Sequence, residues 1–140
     1  MKPFKLTRLE MAKLMYALKG QLDVSPLAIL LRSADLAPDE PEDNLDIPEF
    51  IARYERKKQK TEQGLSTNEI VELGNLCELT SLKSTAIQNW IKRDIKDLMG
   101  HPELGKKYSI DQAVILLIVR DLKSVYDFET IRPILTTIFN

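Results

Sequence analysis

The sequence predicts a mainly α-helical fold. Leucine, isoleucine and alanine dominate it, and β-branched alternation is almost absent. Three capping-box spacings recur, Thr7 with Glu10, Ser66 with Glu69 and Ser109 with Gln112, each just ahead of apolar residues at helical period. With 44% apolar residues the chain can bury a real interior, and with 6% aromatics that interior is mostly aliphatic.

The first box opens a helix over about 8–19, with Leu9, Ala12, Leu14 or Met15, and Leu18 inward and Gly20 closing it. Ser25-Pro26 is a cap followed by a proline at the first helical position, which opens a short helix of roughly 26–33. The acidic, proline-rich stretch 37–49 reads as a solvated loop. A helix of about 48–60 follows, with Phe50, Ile51 and Tyr54 inward and the cations of ERKKQK at its negative end. TEQGL reads as a short linker. The second half then gives helices over 67–76, 84–95, 110–124 and about 128–139. Pro133 requires that the last one either start near Thr130 or kink.

Composition excludes several functions. One cysteine, Cys77, and one histidine, His101, rule out a disulfide framework and leave no ligand set for zinc. The five glycines form no phosphate loop, and no serine, cysteine or histidine falls at a catalytic spacing, so neither an enzyme nor a cofactor is expected. The N-terminus lacks the apolar core of a signal peptide, and AVILLIV at 113–119 is too short to span a bilayer. These features fit a soluble protein of the reducing cytoplasm. Net charge is −1, but it is unevenly spread. Residues 1–20 carry five bases and one acid, 21–64 six bases and ten acids, and 83–107 six bases and three acids.

The positive region contains STAIQNWIKRDIK, 84–96. On a helical wheel Ala86, Ile87, Trp90, Ile91 and Ile95 fall on one half and read as core. Thr85, Gln88, Asn89, Lys92, Arg93 and Lys96 fill the other, with Asp94 alone on the apolar side. Carboxamides can bond adenine bidentately, and arginine or lysine can bond guanine or phosphate. A short capped helix precedes this one by a turn, which is helix-turn-helix order. Further on GKKYS, 105–109, leads into the next helix.

With NEIVELGNL, STAIQNWIKRD, GKKYSIDQAVILLIVRDLK and FETIRPILTTI in this order, the second half resembles the winged helix-turn-helix of the mercury-resistance-regulator (MerR) type. The whole chain resembles a bacterial family known only as a domain of unknown function. The resemblance implies a MerR-like winged helix-turn-helix over 65–140, with an added helical segment over 1–64. It implies that Thr85, Gln88, Asn89, Lys92, Arg93 and Lys96 face a DNA groove, and that Lys106, Lys107 and Tyr108 form a wing on phosphate or the minor groove. The expected function is sequence-specific transcriptional regulation, with double-stranded DNA as partner. The alternative is a protein-interaction adaptor on the same scaffold. MerR-type regulators continue into a dimerising helix and an effector domain, and this chain ends at Asn140, so no small-molecule effector is expected. Residues 1–64 either pack on the winged domain or, through Phe50 and Tyr54, build a homodimer interface.

Overall fold

A computed structural model describes residues 4–34, 45–77 and 81–139. Most of the expected acidic loop, through residue 44, and the centre of the 77–83 turn lie outside the described residues. Among the described residues the fold is mainly helical, and β pairing is limited to isolated bridges. The described residues within Met1–Gln63 and Glu72–Ser81 form one compact unit, and those within Gly64–Val71 and Leu82–Asn140 a second.

The first unit holds α1 (Arg8–Leu18), α2 (Pro26–Ser33) and α3 (Glu49–Arg56). Thr7 caps α1 through the full reciprocal box with Glu10. Gly20 ends the helix with φ 75°, its N–H donating to Ala17 while that of Gln21 donates to Tyr16. A side chain at Gly20 would also collide with the Lys60 carbonyl, since a Cβ there would lie 2.6 Å from that oxygen. Met11, Leu14, Ala17 and Leu18 form the buried face, whereas Leu9, expected inward, is 65% exposed and Ala12 is exposed. Leu9 stands about 160° round the helix from Met11, so only one of the two can face the core.

Ser25 caps α2 and Pro26 takes its first position. The next free amide, Leu27 N–H, donates to the Glu55 carboxylate of α3 at 2.9 Å, which sets an acid on the positive end of α2. In α3, Phe50, Ile51 and Tyr54 are buried as expected. Burial raises the Tyr54 phenol above its ordinary pKa, and the neighbouring Glu55 charge adds to this. The helix ends at Arg56, short of the expected 60, because Lys60 folds back and its ammonium donates to the carbonyls of Tyr54 and Glu55. Leu6 N–H donates to the Leu76 carbonyl at 2.7 Å, which adds the chain beyond α4 (Thr67–Gly74) to this unit.

The second unit contains the start of α4, which Ser66 and Glu69 cap reciprocally. It continues through α5 (Ser84–Asn89), a π-helical turn (Trp90–Asp94), α6 (Lys96–Met99), α7 (Ile110–Lys123) and α8 (Phe128–Phe139). Helix α7 is buried almost all round, with Ile110, Gln112, Ala113, Ile115, Leu116, Leu117 and Val119 inside. Helix α8 buries Ile131 and Leu135 and begins at Phe128, before Thr130, so Pro133 lies within it. There the proline removes the N–H that would have reached the Glu129 carbonyl.

Asp127 caps α8 by accepting the Thr130 N–H at 3.0 Å. The Thr130 backbone bond, the Thr130 hydroxyl and then the Lys123 charge hold its carboxyl below the ordinary carboxylate range. A depressed folded-state pKa gives stability that is present above the unfolded pKa and lost as pH falls through the folded one. Asp127→Ala should therefore lower Tm near neutrality, and the gap to wild type should close as pH drops below about 4. Melting curves from pH 7 to pH 3 measure this, and a gap independent of pH would contradict it.

Candidate functional site

The polar helix face is built from the core outward. Ile87, Ile95 and Met99 are fully buried, and Trp90 and Ile91 are half-buried. In a regular α-helix Ile87 and Ile95 would stand about 80° apart. The Ile95 N–H instead donates to the Trp90 carbonyl at 2.9 Å, an i→i+5 bond that takes one extra residue into the turn. Eight residues then turn as about seven, and both isoleucines come within about 20° of one line. The π turn narrows the buried stripe of this helix.

Trp90, expected as core, is only half-buried. Its ring meets Phe128 of α8 edge-on, with centroids 6.3 Å apart at 68°. Phe128 is in turn flanked by Lys123 at 4.8 Å and Arg132 at 5.8 Å. Arg132 Nε donates to the Asp94 carbonyl at 2.7 Å, and a second guanidinium nitrogen lies 3.9 Å from the Asp94 carboxylate. This explains the acid on the apolar side of the wheel: with its main chain it anchors the end of the π turn to α8.

The opposite face is open. Thr85, Gln88, Asn89, Lys92, Arg93 and Lys96 are all exposed. Among the described residues none of Lys92, Arg93 and Lys96 belongs to an ion pair.

The basic loop is a tight hairpin turn. Leu104 and Lys107 exchange both backbone hydrogen bonds, at 3.0 and 3.1 Å, around Gly105 and Lys106. Gly105 has φ 70°, the conformation such a turn asks of its first central residue. Tyr108 and Leu65 also exchange both bonds, at 2.8 and 2.9 Å, so the hairpin is zipped to the chain entering α4. Gly64, read from sequence as linker, permits this approach, since a Cβ there would lie 2.5 Å from Lys107 Cβ. Only the glycine itself marks this approach in the sequence. Lys106 is exposed at the tip, Lys107 ammonium lies 3.7 Å from Glu69, and Tyr108 is half-buried.

Gln112 joins helix end and hairpin. Its side chain, 3% exposed, donates to the Met99 and His101 carbonyls, each at 2.8 Å. Its oxygen accepts the Glu103 N–H at 3.0 Å and the Ser109 N–H at 3.1 Å. Both donors and both acceptor positions are thereby used. Glu103 is also held, accepting from the Ser109 hydroxyl at 2.6 Å, so the acid beside the hairpin faces its base.

Residues 41–140 match the model of a family described as "Domain of unknown function (DUF1836)". The chain belongs to the DUF1836 family. The DUF1836 match takes in α3 to α8, hence both the polar face and the hairpin. The chain is also 73% identical over 137 residues to the "Uncharacterized protein YkrK" of Bacillus subtilis (strain 168), which covers 98% of this chain. It spans 59% of that relative's length. No solved structure matches the chain. Among the described residues no group of histidine, cysteine or carboxylate side chains could hold a metal, and no helix is long and apolar enough to cross a membrane.

Within the DUF1836 region, Gln112→Leu would strip partners from two carbonyls and two N–H groups, each costing about 1–3 kcal/mol when buried and unmet. Partial relaxation brings the expected loss to about 2–4 kcal/mol. Urea unfolding should show a lower midpoint with an unchanged m-value. A loss below about 0.5 kcal/mol, the range of ordinary surface changes, would mean that the carboxamide does not hold the segment.

Proposed function

We propose that residues 65–140 form a MerR-like winged helix-turn-helix and that the protein is a sequence-specific, DNA-binding transcriptional regulator. The observation that carries this reading is the exposed face of residues 85–96, where carboxamides and cations stand without ion-pair partners on a helix anchored by its other side. Groove readers need such a face: rigidly held and rich in donors. Helix α4, the turn after it and α5 supply the helix-turn-helix order. The Leu104–Lys107 hairpin, paired to Leu65 by way of Tyr108, supplies a wing whose tip cation is Lys106. Lys92 and Lys96 suit phosphate, as does Lys106.

Net charge does not oppose the reading, because three of the acids near these elements are engaged, while Asp97 is exposed. Asp94 pairs with Arg132, Glu103 with Ser109 and Glu69 with Lys107. DNA responds to the local field rather than to the sum over the chain.

The test is binding of mixed-sequence duplex DNA across a salt series by wild type and by the Lys92→Ala/Arg93→Ala variant. Wild-type affinity should fall steeply with salt. The double variant should bind at least tenfold more weakly at low salt, with a log–log salt slope shallower by about 2, one per lost phosphate contact. Its Tm should stay within about 2 °C of wild type, since both side chains are exposed. Equal binding by the two proteins would remove the helix from the interface. Absence of binding by either at low salt would favour the adaptor reading.

A further inference from the structure

The π turn does more than align two isoleucines. Around a regular helix the exposed residues Thr85, Asn89 and Arg93, spaced four apart, would drift by about 40° at each step. The extra residue taken up in Trp90–Asp94 reverses that drift between Asn89 and Arg93. The three side chains then stay within about 40° of one line along the middle of the exposed face. Gln88 and Lys92 lie to one side of it, at the rim.

Resting on the reading of this helix as a groove reader, we propose that Asn89 and Arg93 are its base-specifying residues, and that the preferred half-site pairs an adenine with a guanine about two base-pair steps apart. The chemistry follows from the side chains. Asn is suited to bidentate bonding with adenine N6 and N7, and Arg with guanine O6 and N7. Four residues of helix advance about 6 Å, and neighbouring base pairs are about 3.4 Å apart, so consecutive members of the row meet pairs roughly two steps apart. Among the described residues neither the Asn89 carboxamide nor the Arg93 guanidinium is used within the protein. Lys92 and Lys96 sit close in sequence to Arg93 and, as compact cations, bind backbone without choosing a base. Thr85, at the start of the row, offers a methyl group for contact with a thymine methyl.

Site selection from random duplexes, run with wild type, Asn89→Ala and Arg93→Ala, tests the assignment. Wild type should enrich an adenine and a guanine separated by one to three steps, on either strand. Asn89→Ala should flatten the adenine column alone and Arg93→Ala the guanine column alone. Each should lose on the order of 10- to 100-fold discrimination at its own position, as expected for one bidentate pair. This double dissociation is the readout that a merely structural role cannot produce, because loosening the helix would degrade both columns together. An enriched site lacking that pair, or substitutions that flatten both columns or neither, would overturn the assignment while leaving DNA binding intact. Failure of wild type to bind any duplex at low salt would overturn the underlying reading as well. Circular dichroism melts of the three proteins confirm that folded proteins are being compared.

Discussion

The carboxamide of Gln112 is the interaction on which the second unit depends. It lies inside α7, yet all four of its hydrogen bonds go to main chain outside that helix, at Met99, His101, Glu103 and Ser109. Those residues span the irregular path from the end of the polar helix to the start of α7. A segment of that kind has no ladder of its own to satisfy its amides and carbonyls, and burying them unmet would be costly. One fully used side chain resolves this and fixes the length of chain between helix and hairpin. The hairpin then needs only its own turn bonds and the pairing with Leu65 to be set in place.

The second constraint is the π turn. A regular helix would set Ile87 and Ile95 about 80° apart, and the i→i+5 bond at Ile95 brings them close to one line. Arg132 donates to the Asp94 carbonyl at the end of that turn, and Phe128 braces Trp90. The exposed face is thus ordered from below: its phase is set by what the opposite side buries and by contacts from α8. An exposed row held in this way keeps its geometry without spending its own donors. That is the property a recognition surface requires.

Local chemistry made most helix starts legible in the sequence. Thr7 with Glu10, Ser66 with Glu69, Ser109 with Gln112 and Ser25 before Pro26 all act within a few residues, and each cap is present. The polar set of 84–96 was legible for the same reason, since period alone sorts it from the isoleucines. What depended on distant partners was hidden. Leu9 and Met11 are equal candidates by hydrophobicity, and only tertiary packing chooses Met11. The stop of α3 at Arg56 follows from Lys60 folding back, which a dipole rule does not locate. The second role of Gln112, the close approach at Gly64 and the π turn are tertiary in the same sense. No local propensity marks them.

DNA recognition by the exposed helix face is tested by an amide NMR titration of the labelled protein with a short mixed-sequence duplex at low salt. Shifts should gather on Thr85 to Lys96 and on Gly105 to Tyr108, while the side-chain amide of Gln112 stays unmoved. Shifts confined to α1 to α3, or none at saturating duplex, would contradict it.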